Sequence, residues 1–84
     1  MRVEYELRNL PRVRVIEYLE QAGGQQIAPW FVVGAGWTAD LYELEPAQVG
    51  SLCVPCDQLV IEGNVPAVER VSAFMRQKTM RGGG

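Results

Sequence analysis

Apolar and polar residues alternate strictly from Arg2 to Arg8, with Val3, Tyr5 and Leu7 on one face and Arg2, Glu4, Glu6 and Arg8 on the other. That period of two predicts a strand with one buried face. Asn9-Leu10-Pro11 punctuates the pattern. Pro11 suits the first turn of a helix, and Val15, Ile16, Leu19 and Ala22 then recur at helical spacing before Gly23-Gly24, predicting an amphipathic helix of about three turns. A continuous apolar run from Ile27 to Val33 follows, with Pro29 near its start, and reads as a strand that begins at or after the proline. Gly34-Ala35-Gly36 forms a turn into a second alternating stretch, Trp37 to Glu45, which predicts an antiparallel hairpin ended by Pro46.

Between Gln48 and Glu62 the pattern predicts a short strand around Ser51-Leu52-Cys53, a turn at Pro55 to Asp57, and a stronger strand from Gln58 to Glu62. Gly63-Asn64 breaks it. Asn64 is placed to cap a second helix with Pro66 in its first turn, and Ala67, Val68, Val71, Phe74 and Met75 mark its apolar stripe. This helix is expected to run to about Lys78. The order β-α-β-β-(β)-β-α, with single-faced helices and mostly single-faced strands, predicts an α+β fold: a two-layer sandwich with both helices on one face of an antiparallel or mixed sheet. Residues 1–79 are expected to form one domain and 80–84 a flexible glycine-rich tail, since 84 residues suffice for a single core only.

Composition narrows the function. A formal net charge of −2 lacks the basic face that releases phosphate counterions, so nucleic-acid binding is not expected. The basic residues Arg70, Arg76, Lys78 and Arg81 gather near the C-terminus, where they suit a solvated helix end and complement its dipole. No apolar run approaches a membrane span, and the N-terminal residues Met1-Arg2-Val3-Glu4 show no hydrophobic signal region, so a cytoplasmic protein is expected. The two cysteines are too few for a secreted disulfide framework.

Candidate chemistry is sparse, and no enzymatic activity or cofactor is expected. The chain has no histidine, which removes imidazole bases and His-containing metal sites. Asp40, Glu43 and Glu45 lie close along one strand, but Asp40 points away from the other two, as period two requires. Gly34-Ala35-Gly36 lacks the helix N-terminus and lysine of a phosphate loop. Cys53-Val54-Pro55-Cys56 has the C-x-x-C spacing used for disulfide exchange or for half of a thiolate zinc site. A structural turn with idle thiols, a redox pair and a metal shared between two subunits all remain open for it. Trp30, Phe31 and Trp37 cluster around one turn and serve either as core or as an exposed anchor for a protein partner, a second copy or a small ligand.

The ending Met80-Arg81-Gly82-Gly83-Gly84 is the third candidate. Sulfur carriers and ubiquitin-like proteins use a C-terminal Gly-Gly that threads into an activating enzyme, a task for which the missing Cβ suits glycine. Gly84, with Gly83 behind it, is the candidate acceptor. In the β-grasp body of those proteins a hairpin comes first and the double glycine leaves the final strand, whereas here a helix follows the first strand and the tail leaves a helix.

Gly36-Trp37-Thr38-Ala39, Val49-Gly50-Ser51-Leu52, Ile61-Glu62-Gly63 and the ending Lys78-Thr79-Met80-Arg81-Gly82-Gly83-Gly84 together resemble a small domain found at the C-terminus of thermophile proteins related to the small subunit of molybdopterin synthase. The resemblance covers most of the chain after Gly24. It implies a link to sulfur transfer in molybdenum-cofactor biosynthesis on a body that is not β-grasp, with no site residue transferable beyond Gly84, and an accessory or carrier-like role there is expected.

Overall fold

Five strands and two helices build the protein in a computed structural model that describes the backbone of residues 1–83 and the side chains up to Thr79. In chain order these are β1 (Arg2–Arg8), α1 (Arg12–Gln21), β2 (Gln25–Ala28), β3 (Phe31–Gly34), β4 (Trp37–Val49), β5 (Leu52–Gly63) and α2 (Val65–Gly83). The strands form one sheet in the order β1-β5-β4-β3-β2, and every neighbouring pair is antiparallel. Both helices pack on the same face, so the expected α+β two-layer arrangement holds and its sheet is antiparallel.

The register decides which residues meet the helices. Leu59 of β5 lies between Tyr5 and Leu41, and Ile61 between Val3 and Ala39. These odd-numbered positions join Val32 and Trp37 against Val15, Ile16 and Leu19 of α1 and Ala67, Val68, Val71 and Met75 of α2 in one core. The predicted stripes of both helices are thus the buried ones. Asn64 caps α2 as expected: its Oδ1 accepts the Ala67 N–H at 2.9 Å, satisfying one of the free donors of the first turn.

Two predicted boundaries are corrected and one strand is added. The strand expected at or after Pro29 is β3, which begins at Phe31; the residues before the proline form the additional strand β2, because Pro29 and Trp30 make a two-residue turn with Ala28 paired to Phe31. Pro29 presets the first turn position, and Trp30 then takes a positive φ of 64°, a conformation usually left to glycine. Pro46 does not end β4. The ladder passes from the Leu44–Cys56 pair to the Ala47–Val54 pair through a bulge, which leaves Glu45 and Pro46 without cross-strand partners and so removes the need for the N–H that proline lacks. For the same reason Pro55, opposite that bulge, makes no turn: its carbonyl accepts the Asn9 N–H at 2.8 Å, and Leu52–Gly63 is one continuous strand.

Trp37 is the largest side chain at the centre, only 3% exposed. Its indole lies against Gly24 and Gly34, where an added Cβ would overlap the ring. Two glycines on different segments therefore make the space for one aromatic residue. Replacing Trp37 with Ala is expected to lower the unfolding free energy by about 3–5 kcal/mol, and Gly34→Ala to destabilise by collision with the same ring; urea denaturation measures both.

Candidate functional site

The glycine run is carried by α2. Packing of Ala67, Val68, Val71 and Met75 fixes this helix on the β5–β1 half of the sheet, and a hydrogen bond between Tyr5 and Ser72 ties it to β1. Near its end the Thr79 hydroxyl donates back to the Met75 carbonyl at 2.8 Å, and the Lys78 ammonium sits 5.5 Å from the Phe74 ring centroid. The helix continues past Lys78 through Gly83, so the run leaves from a helix, as its element order implied. Gly84 lies outside the described residues.

The two cysteines occupy one extended strand, not the turn expected from Pro55. Cys56 is buried and Cys53 exposed, and both thiols are free. Three residues of strand separate their Cα atoms by about 10 Å, beyond disulfide reach, and an odd spacing directs the side chains to opposite faces. No group of three or more metal-ligating side chains gathers among the described residues.

The aromatic trio is divided. Trp37 is core, Phe31 is half-buried on the helix-free face of the sheet, and Trp30 is 36% exposed. Trp30 instead receives a guanidinium: Arg12, at the first position of α1, lies 5.3 Å from its ring centroid. The same Arg12 bonds Asp57 from Nε at 2.8 Å and Glu43 from Nη2 at 3.0 Å. Asp57 and Glu43 are direct cross-strand partners, so without the cation two carboxylates would face each other. The bond to Asp57 above all, with Glu43 adding to it, raises the Arg12 pKa above its ordinary value. A cleft of about 210 Å³ opens beside this group, lined by Asn9, Leu10, Pro11, Arg12, Pro55 and Asp57.

Sequence reasoning missed this cluster because Arg12 and Asp57 are 45 residues apart. A signal existed: Asp57 shares the parity of Leu59 and Ile61, and an acid on a core-facing position requires a partner. Asp40, as its parity required, lies on the other face from Glu43. Burial beside Val60 raises its carboxyl pKa, and Glu62 adds to the rise while Arg2 opposes it.

These geometries carry two expectations. Arg12→Met exposes the Asp57 and Glu43 carboxylates to each other and lowers the thermal midpoint at pH 7; Asp57→Asn in that background recovers part of the loss, a coupling read from the four-variant cycle. For Asp40 the raised folded-state pKa means that the folded chain holds the proton more tightly than the unfolded chain. Its contribution is complete below the unfolded carboxylate pKa and lost as pH rises through the folded one. Asp40→Asn is therefore expected to flatten the pH dependence of stability across that window, raising the midpoint at pH 7 relative to the parent more than at pH 3.

Comparison with known proteins bears on the glycine run more than on the clusters. No curated protein matches the chain. The model of the family described as archaeal MoaD-like protein matches residues 3–84, a span that holds all of the sheet but Arg2, both helices and the glycines. The chain belongs to the archaeal MoaD-like protein family.

Proposed function

We propose that this protein is a non-enzymatic accessory or carrier-like domain in sulfur transfer linked to molybdopterin cofactor biosynthesis. The family match carries the reading, because the span matched to a family described as MoaD-like, residues 3–84, includes the glycine run. Gly84 is the acceptor in this proposal and Gly83 its thin approach, both free of the Cβ that would widen the chain in an activating enzyme's channel. An activating enzyme would transfer the adenylyl group of ATP to the carboxylate with release of pyrophosphate, and hydrosulfide or an equivalent sulfide-level donor would then displace AMP to leave a thiocarboxylate. Cys53 and Cys56 are not assigned to this chemistry.

The body departs from a β-grasp carrier, since its sheet is wholly antiparallel and the glycines follow α2. Recognition by the activating enzyme would therefore read α2 and the adjoining β1, not a terminal strand. The finer resemblance, to a C-terminal domain of thermophile proteins, belongs to the same proposal, as does a cytoplasmic location. Among the described residues no helix is long and apolar enough to cross a membrane.

Intact-mass measurement of the protein isolated from its native host tests the assignment. The expected species has one oxygen replaced by sulfur, and deletion of Gly83 and Gly84 abolishes it together with molybdopterin formation in host extracts. An unmodified carboxylate throughout, with full cofactor formation after the deletion, overturns it.

A further inference from the structure

We propose that the activating enzyme encloses the basic end of α2 with an acidic surface and seats an apolar side chain in the cleft between that end and β1. The inference rests on the carrier reading and names the chemistry the enzyme presents.

Charge is divided unevenly along the chain. Residues 65–83 carry four cations, Arg70, Arg76, Lys78 and Arg81, against one acid, Glu69, a formal +3. All other residues carry four arginines against nine acids, a formal −5, and the two parts add to the net −2. Those four arginines are compensated within the fold: Arg2, Arg8, Arg12 and Arg14 each have a carboxylate within 4.0 Å. Among the described residues none of the exposed Arg70, Arg76 and Lys78 forms an ion pair. Lys78 lies over the Phe74 ring, a contact that leaves its charge unneutralised. The helix dipole places about half a negative charge at this end and the terminal carboxylate adds one. Arg76, Lys78 and Arg81 exceed the two together.

The cleft lies at the same end. Its volume is about 160 Å³, and Arg76 lines it with Tyr5, Leu7, Leu59, Met75 and Thr79; a cavity of about that size takes a benzene-sized group. Its one acid, Glu6, is held by Arg8 at 3.2 Å, so Arg76 is the uncompensated charge at the recess. Such a site fits an apolar side chain flanked by a carboxylate. Thr79 is three residues before Gly82, which puts a protein seated here within reach of the glycine run.

Helical spacing selects an enclosing protein as the occupant. Arg76 and Lys78, two residues apart, stand on opposite sides of the helix. A flat anionic surface meets one of them, whereas a partner into which the C-terminus threads meets both. A bilayer also needs a free apolar helix face, and that of α2 is buried in the core. A nucleic acid would run its phosphates onto the acidic remainder of the chain.

ATP–pyrophosphate exchange by the native host's activating enzyme, dependent on added full-length chain, tests the inference, because that signal reports adenylation of the C-terminus. For the parent, KM for the chain is expected to rise between about 0.05 and about 0.5 M salt. Arg76→Glu and Lys78→Glu are each expected to raise KM about tenfold with kcat little changed, and Arg76→Lys to retain the parent value. Thr79→Phe, which fills the cleft, is expected to raise KM while circular dichroism shows the fold kept. Arg14→Glu makes the same charge change on α1 and is expected to leave KM unaltered. An unaltered KM in Arg76→Glu, Lys78→Glu or Thr79→Phe, or an equal rise in Arg14→Glu, overturns this inference and leaves the carrier reading standing. Tighter binding of the parent to a single-stranded RNA than to the enzyme, read by fluorescence anisotropy, also overturns it. No chain-dependent exchange with the parent overturns both.

Discussion

The pairing of β4 with β5 is the constraint on which the rest of the molecule depends. These are central strands of the sheet, and their register alone puts Trp37, Ala39 and Leu41 on the same side as Leu59 and Ile61. A slip of one residue would turn that set to the helix-free face and bury Thr38, Asp40 and Glu62 in its place. Two devices resist such a slip. At one end Gly63 lies so close to the Gly36 carbonyl that no Cβ fits between them, and the Asn64 N–H donates to the same carbonyl at 2.9 Å. At the other, Gly50, with φ of 63°, leads a two-residue turn that matches the strand twist.

Arg12 adds a second kind of constraint. It begins α1, yet its guanidinium reaches the ladder between β4 and β5 and offsets two carboxylates that face each other there. A helix start is thereby tied to the middle of the sheet by charge, while the same guanidinium lies over the Trp30 ring. Trp30 holds a backbone angle unfavourable for a bulky residue, and its place over Arg12 is the compensating contact the structure offers. Helix docking, the β2–β3 turn and the central ladder are therefore coupled through one residue.

Much of the architecture was legible in residue patterns. Strict alternation in Arg2–Arg8 and the stripes Val15-Ile16-Leu19 and Ala67-Val68-Val71-Met75 identified elements by their period, since each element buries one face. The errors cluster at proline. Pro46 and Pro55 read as terminators because a proline removes a ladder hydrogen bond, but they occupy mutually facing positions around a bulge where that bond is not made. The strand after Pro29 was legible, but β2 before it was not, because the turn between them is completed by Trp30, a residue that no turn preference would place there. Of the candidate site, the attachment of the glycines to a helix followed from element order, whereas the Arg12 cluster did not, because parity shows that Asp57 needs a partner without naming it.

Local spacing and composition determined the element types, the single-faced helices, the cap at Asn64 and the absence of imidazole chemistry, because each depends on neighbours within a few residues or on residue type alone. Only tertiary structure decided the sheet order, the burial of Trp37 beside an exposed Trp30, the separation of Cys53 from Cys56 and the bridge from Arg12 to Asp57 and Glu43. Those outcomes rest on which distant segments share a face. Long-range register, set by the collective burial of the core, fixes that sharing, and no local pattern encodes it.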